Sequence, residues 1–377
     1  MKHVVVVGAG HIGSTISALL ARTGDYTVTL VDRSAERLAQ LDRRRGVETA
    51  ALDVADTAAL RKTLGGAFAV ISAAPYHLTA GIAEAARSLG IHYLDLTEDV
   101  VSTRRVKALA AGAPSALIPQ CGLAPGFISI VAADLTRGFD ELHDVRLRVG
   151  ALPKYPSNAL NYNLTWSTEG VINEYCEPCE AIVEGQLRQT RPLEECESLA
   201  LDGVTYEAFN TSGGLGTLCE TLAGKARNVN YRTIRYPGHA AIMKTLLNDL
   251  RLRDRRDVLK DILESALPVT MQDVVIVFVT VSGMKGDRLV QETYANRIYA
   301  TNIDGEPVSA IQITTASAAC AVLDLLAEGA LPQSGLVRQE DIALRDFLAN
   351  RFGRAYASEG AEAPGAVVEA DVLETLA

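Results

Sequence analysis

The chain has 377 residues, enough for two or three domains of roughly 150 residues each. Hydrophobic residues make up 48% and charged residues 22%, which excludes a disordered, collagen-like or tail-dominated chain. Against 36 Lys+Arg stand 46 Asp+Glu, a net charge of −10 that suits neither nucleic-acid phosphates nor an anionic bilayer, so no nucleic-acid or membrane partner is expected.

Residues 3–7, His-Val-Val-Val-Val, form a continuous β-branched run ending at Gly8. A helix is predicted over 12–22 and a second strand over 26–31, ending at Asp32. Ser34 has the form of an N-cap for a charged helix reaching about residue 45. Strand three is predicted at 47–52, a helix at 56–64 and strand four at 68–72. A helix over 77–89 stops at Gly90, and strand five follows at 91–94. The helix at 102–111 stops at Gly112, and 115–118 reads as strand six. Short apolar strands without alternation, interleaved with amphipathic helices, indicate a parallel sheet covered on both faces. The predicted fold class is α/β, a doubly wound parallel sheet.

A helix over 128–137 leaves this first region. From about residue 144 the pattern changes. Val-Arg-Leu-Arg-Val at 145–149 alternates, as a half-exposed antiparallel strand does. Residues 249–263 read as one charge-laced, exposed helix. The β run at 274–282, a turn over 283–286 and a strand at 288–299 read as a hairpin, with Asp304-Gly305 marking the next turn. Together they predict an α+β domain built on a mostly antiparallel sheet. Residues 309–328 are small, apolar and helical in spacing, and 331–352 add a loop and a helix. The tail from Glu359 holds five carboxylates and no Lys or Arg, as a flexible end or a docking segment would. No apolar run is read as reaching the roughly 18–20 residues of a membrane span. Six cysteines and no readable signal peptide lead to the expectation of a cytoplasmic protein.

The clearest motif is Gly8-Ala-Gly-His-Ile-Gly13, placed between a strand and a helix. Gly8 allows the turn, Gly10 lets the backbone approach a pyrophosphate, and Gly13 lets the helix pack on the sheet. His11 and Ile12 open the helix whose N–H groups and dipole attract phosphate. Asp32 can accept a ribose 2′-hydroxyl, which favours NAD. Arg33 beside it can receive a 2′-phosphate, which keeps NADP open. Asp53 closes strand three as an adenine contact or a turn cap. Ala73, Ala74 and Pro75 follow strand four, where small residues let a cofactor lie against the backbone, and Tyr76 can touch nicotinamide or substrate.

Further segments carry a resemblance: Val70-Ile-Ser-Ala-Ala-Pro-Tyr76, Tyr93-Leu-Asp-Leu-Thr97, Cys121-Gly-Leu-Ala-Pro-Gly126, Trp166-Ser-Thr-Glu-Gly170, Ile172-Asn-Glu-Tyr175, Asn210-Thr-Ser-Gly-Gly-Leu-Gly-Thr217 and Tyr231-Arg-Thr-Ile-Arg-Tyr-Pro-Gly-His239. On them the chain resembles the saccharopine dehydrogenase-like family, of lysine 6-dehydrogenase and saccharopine reductase type. The resemblance implies a discontinuous Rossmann domain (1–125 plus about 309–352), a substrate and dimerisation domain (126–308) and an acidic tail (353–377). It also implies a nicotinamide-dependent oxidoreductase of an amino-acid side-chain amine, expected to be an L-lysine 6-dehydrogenase acting as a homodimer. Saccharopine or a polyamine conjugate stands as the alternative substrate, and a non-catalytic nicotinamide-binding protein as the alternative class.

Such chemistry needs a base and a fixed charge for the amino acid's carboxylate. Asp95 can bind an ammonium, act as base or cap a turn, and Thr97 follows it towards substrate. Cys121 and Gly122 can meet nicotinamide or substrate, or Cys121 can be an inert buried thiol. Arg227, Arg232 and Arg235 gather cationic charge, and Arg235 is the substrate anchor the resemblance favours. His239 is read as an acid/base or a core histidine. Trp166 is read as pocket wall or core. Cys176 and Cys179 form one C-x-x-C without a second, so no metal is expected.

Overall fold

A computed structural model of the chain describes residues 1–41, 46–303 and 305–357. The chain divides into two compact units, residues 1–127 with 312–357, and residues 128–311.

The first unit alternates β1 (Lys2–Val7), α1 (His11–Arg22), β2 (Tyr26–Asp32), α2 (Ala35–Gln40), β3 (Val47–Ala51), α3 (Thr57–Leu64), β4 (Ala69–Ser72), α4 (Tyr76–Leu89), β5 (His92–Asp95), α5 (Val100–Ala110) and β6 (Ala116–Ile118). The predicted elements recur with ends shifted by one or two residues. Ser34 caps α2 by accepting from the Arg37 N–H, though α2 ends at Gln40 and residues 42–45 lie outside the described residues. Asp56 and Asp99 cap α3 and α5 in the same way, and Gly90 ends α4 in the left-handed conformation.

The second unit runs through α6 (Phe127–Thr136), β7 (Glu141–Pro153), α7 (Thr168–Cys176), β8 (Cys179–Val183), β9 (Gln186–Thr190), β10 (Glu197–Leu201), β11 (Val204–Asn210), α8 (Leu218–Leu222), β12 (Ala226–Arg235), α9 (His239–Lys244), α10 (Arg256–Ala266), β13 (Asp273–Lys285), β14 (Arg288–Tyr299), β15 (Thr301–Ile303) and β16 (Glu306–Val308). Its large sheet has the order β10-β11-β12-β7-β13-β14. The hairpin of β13 and β14 forms as predicted, but β13 continues through Gly283 to Lys285, so the turn begins only at Gly286. Asp304 lies outside the described residues.

Two expectations need correction here. The alternating segment 145–149 belongs to the centre of the sheet, parallel to β12 and antiparallel to β13. Its Arg148 is buried because Glu197 neutralises it. Residues 249–263 are not one helix. A π-helical turn (Thr245–Asp249) and a short 3-10 helix (Leu252–Asp254) precede α10, and Arg251 between them adopts φ +56°. Leu259 and Leu263 bury one face of α10.

The chain returns to the first unit along α11 (Ala310–Ala327). It adds β17 (Gly335–Leu336) and α12 (Leu344–Ala349). The completed parallel sheet has the order β17-β6-β5-β4-β1-β2-β3, the doubly wound arrangement predicted, with β17 as an edge strand the sequence reading lacks. By length and composition α11 could cross a membrane, contrary to expectation, yet 89% of it is buried within the protein. Its Asp324 accepts hydrogen bonds from Tyr26 (2.6 Å), Asn350 (2.8 Å) and the Arg351 guanidinium (2.7 and 3.0 Å). These bonds fasten residues 350–351 onto the sheet unit and hold the Asp324 carboxyl below its usual range despite burial.

Asp324→Asn removes the buried charge and leaves Arg351 paired with exposed Asp25. The expected loss is about 2 kcal/mol of stability. Because the folded-state pKa is depressed, this stabilisation is present above the unfolded value of about 3.9 and fades as pH falls through the folded value. Calorimetry of both proteins checks this: melting curves that coincide at neutral pH would show that the carboxylate fastens nothing.

Candidate functional site

The glycine loop joins β1 to α1 through close backbone approaches. Gly8 has φ +104°, and a Cβ there would lie 2.5 Å from the Ala73 carbonyl oxygen. A Cβ on Gly13 would lie 1.8 Å from the Gly8 carbonyl oxygen and 3.4 Å from the Ala73 methyl. The fold itself requires both glycines. Gly10 differs. It is exposed, and a Cβ there would meet nothing within 4 Å. The open space lies beside the first turn of α1, which begins at exposed His11 and half-buried Ile12 with no side-chain cap. Space beside uncapped helix N–H groups fits a pyrophosphate. Ala73 and half-buried Ala74 line the other side of the loop. Exposed Pro75 precedes Tyr76, the first residue of α4, whose ring meets His77 edge-on.

Asp32 shapes this loop. One carboxylate oxygen accepts from the Ala9 N–H at 2.8 Å and the other from the Ser34 N–H at 2.9 Å. A carboxylate has further acceptor positions, so a ribose hydroxyl can still be received. Arg33 is exposed, and Arg37 approaches Asp32 to 4.0 Å. Asp53 is exposed and accepts the Ala55 N–H at 3.0 Å, the turn-cap geometry.

The residues at the ends of β5 and β6 are built into the fold. Asp95 is fully buried. It accepts from the Gln120 N–H (2.8 Å), the Thr97 N–H (3.1 Å) and the Tyr93 hydroxyl (2.9 Å). Burial raises its carboxyl to about 6, against the lowering effect of these bonds. It holds Gln120 in a left-handed conformation, φ +67°. These bonds make Asp95 a brace of the fold, in keeping with its alternative reading as a strand-end turn or cap. The Thr97 hydroxyl accepts the Asp99 N–H at 3.1 Å and so shapes the turn before α5. Cys121 is fully buried, its thiol pushed well above its usual range by burial and by Asp95. Of the two readings, inert thiol fits. Gly122 packs against Gly126, where any Cβ would lie 2.0 Å from the Gly122 carbonyl oxygen.

In the second unit the three arginines separate. Arg227 is 61% exposed and pairs with Glu184 at 3.0 Å. Arg232 pairs with Glu195 (2.9 Å) and Glu197 (2.8 Å). Arg235, at the end of β12, is 2% exposed, and none of the ion pairs among the described residues includes it. Its Nε–H donates to the Tyr175 hydroxyl at 3.0 Å and its Nη1 to the Ile234 carbonyl at 2.9 Å. The guanidinium lies over the Tyr162 ring at 5.1 Å and the Tyr175 ring at 6.0 Å. The buried Tyr162 hydroxyl has no hydrogen-bond partner among the described residues. Half-buried Trp166 packs against the apolar cluster that contains Tyr162 and Tyr175. The Cys176 and Cys179 thiols are buried and raised by burial, and no metal-ligating cluster occurs among the described residues.

His239 is 1% exposed and both ring nitrogens are bonded, Nδ1 to the Leu160 carbonyl and Nε2 to the Tyr175 hydroxyl, each at 3.0 Å. Burial, then the Arg235 charge, pushes its pKa down to about 3. It is neutral across the physiological range, which corrects the acid/base reading. Tyr162 and Tyr175 were absent from the sequence-based set. Tyr175 lies in a segment that carried the family resemblance, but nothing local connects it to Arg235, 60 residues away.

Comparison with known proteins bears on both units. Residues 4–118 match the saccharopine dehydrogenase NADP binding domain, and residues 122–354 match the saccharopine dehydrogenase C-terminal domain. The mitochondrial alpha-aminoadipic semialdehyde synthase of Mus musculus is 22% identical over 219 residues, 54% of this chain and 24% of that protein. A saccharopine dehydrogenase (NADP(+), L-glutamate-forming) of Schizosaccharomyces pombe is 25% identical over 182 residues, 46% of this chain and 40% of that protein. The chain thus spans between a quarter and two-fifths of the length of these relatives. An apo saccharopine dehydrogenase (L-Glu forming) from Saccharomyces cerevisiae shares the fold, with TM-score 0.76, 16% identity, and 92% and 97% of the two chains covered. Homospermidine synthase from Legionella pneumophila in complex with NAD gives TM-score 0.62, 14% identity, and 95% and 90% covered.

Gly10 and Gly13 separate ligand from fold. Gly10→Val should melt like the wild type and lose NADH binding by at least about tenfold, since only the cofactor's space is filled. Gly13→Val should lower the melting temperature as well. Fluorescence titration with NADH and a thermal melt check both. Unchanged affinity in a folded Gly10→Val protein would remove the loop from the cofactor site.

Proposed function

The chain belongs to the saccharopine dehydrogenase family, and from that premise we propose that it is an NAD-dependent oxidoreductase of an amino-acid side-chain amine, namely an L-lysine 6-dehydrogenase. The observation that carries the proposal is the buried Arg235 guanidinium, which no ion pair among the described residues includes although the Glu174 charge acts on it from nearby. A buried cation calls for an anion, and a guanidinium fork matches an amino acid's carboxylate in two bonds. The partnerless Tyr162 hydroxyl beside it supplies a further donor. The cofactor accepts a hydride when bound. Lysine C6 would give up that hydride and its ammonium one proton to water, which leaves a protonated imine. Water adds to the imine and releases ammonia and 2-aminoadipate 6-semialdehyde.

Lysine is preferred to saccharopine because saccharopine carries additional carboxylates. The other buried or half-buried arginines on the same sheet are already paired, Arg148 and Arg232 with Glu195 and Glu197, and Arg297 with Asp202. NAD is preferred because a carboxylate side chain, Asp32, stands at the end of β2. Exposed Arg33 and Arg37 support NADP as the second reading, in line with the name of the matched cofactor domain. We also assign a homodimer, because the twelve-residue β14 pairs β13 on one side and has no described strand on its outer edge.

The test is the rise of the NADH absorbance band with purified protein, NAD and L-lysine at alkaline pH. Lysine-dependent reduction supports the assignment. Reduction with saccharopine alone overturns the substrate but keeps the reaction class. No reduction with either, in a protein that binds NADH, overturns the enzymatic reading. In the active enzyme, Arg235→Ala should raise KM for the amino acid by about tenfold to a hundredfold, the value of a lost charge-assisted bond, and leave cofactor affinity unchanged.

A further inference from the structure

We infer that Tyr175 and His239 are positioning residues for Arg235, forming a relay of one-way hydrogen bonds that fixes the guanidinium against the place of the substrate carboxylate. The inference rests on the reading of Arg235 as that carboxylate's anchor.

The direction of each bond follows from the partners. The Leu160 carbonyl can only accept, so Nδ1 of His239 carries a proton. In the neutral ring Nε2 is then an acceptor, and the Tyr175 hydroxyl donates to it at 3.0 Å. The Tyr175 oxygen is left to accept from the Arg235 Nε–H, also at 3.0 Å. A second proton on His239 would reverse the Tyr175 bond and set another cation beside Arg235. The packing resists that change. Phe209 stacks on the imidazole at 12° between ring planes, and Tyr162 and Tyr175 meet its edge at 5.3 and 5.8 Å. The relay draws on three separate elements, with Tyr175 near the end of α7, Arg235 at the end of β12 and His239 at the start of α9. It gives Tyr-Pro-Gly-His a physical purpose. The motif turns the chain so that a histidine four residues after the arginine faces the same tyrosine. Gly238 makes that turn with φ +98°.

The first test is nitrogen NMR of histidine-labelled protein, with His239 assigned by substitution. The expected spectrum has a protonated Nδ1, an unprotonated Nε2 and no titration between about pH 5 and 9. Tyr175→Phe should shift the Nε2 resonance. Titration in that range, or an Nε2-protonated tautomer, overturns the relay, and neither result depends on the identity of the substrate. Kinetics give the second test. Tyr175→Phe should raise KM for the amino acid about tenfold and change kcat less than about twofold. His239→Gln, whose amide can both accept and donate, should stay near wild type, and His239→Leu should repeat the Tyr175→Phe effect. If His239→Leu does not fold, the Tyr175→Phe and His239→Gln pair decides. An acidic limb of the pH–rate profile that vanishes in His239→Gln, or an unchanged KM in Tyr175→Phe while Arg235→Ala raises it, overturns the positioning role. An unchanged KM in Arg235→Ala defeats the anchor reading instead and leaves the NMR test standing.

Discussion

A guanidinium charge held out of water, and held mainly by tyrosines and a carbonyl, constrains the second unit. Burial of a cation is costly, and here the cost is offset by fixed dipoles and aromatic faces. Arg235 donates to Tyr175 and to the Ile234 carbonyl, and the rings of Tyr162 and Tyr175 cover it. Tyr175 must sit at one point on α7, and His239 at one point on α9, for these bonds to close. The loop after β11 is tied to the same region. The Ser212 N–H donates to the Glu174 carbonyl at 3.0 Å, and a Cβ on Gly214 would enter the Tyr231 ring at 2.3 Å. The distinctive Thr-Ser-Gly-Gly and Tyr-Pro-Gly-His segments therefore secure one arrangement around one buried charge.

The first unit uses its carboxylates in the opposite manner. Asp32 and Asp95 stand at the ends of strands, where ligands bind in folds of this kind. Both accept backbone N–H groups of the following loops. Asp32 thereby shapes the glycine loop with acceptor positions to spare, so support of the fold and contact with cofactor are compatible there. Asp95 is different, because complete burial and three donors leave it enclosed. Cys121 donates its backbone N–H to the Asp95 carbonyl at 2.7 Å and belongs to the same enclosed corner.

The sequence was most readable where local pattern and tertiary burial agree. Strands of the parallel sheet are covered on both faces, so their apolar runs are unbroken and visible. The helices between them end at aspartates, a serine and glycines whose capping chemistry is local. In the second unit the signals conflict. β9 is short and largely exposed, and lacks the apolar spacing that marks a strand. Arg148 suggests an exposed face, and only its pairing with Glu197, 49 residues away, buries it. The stretch 249–263 has the charge pattern of one helix, but Arg251 interrupts it. α11 illustrates the converse, an apolar helix of membrane-span length whose interior place depends on Asp324 meeting Tyr26 and Arg351.

The sequence by itself determined the alternation of the first unit, the glycine loop, the caps and the family, because each depends on residues within a few positions of one another. It also singled out Arg235 and His239, without distinguishing a proton carrier from a support. Only the tertiary structure decided that distinction. Charge state and hydrogen-bond direction depend on burial and on partners 60 to 80 residues distant, such as Tyr175 and Leu160. The same reason separates Arg227 and Arg232 from Arg235. Three arginines within nine residues look alike along the chain, and folding brings glutamates into ion-pair distance of the first two, while no ion pair among the described residues includes the buried third.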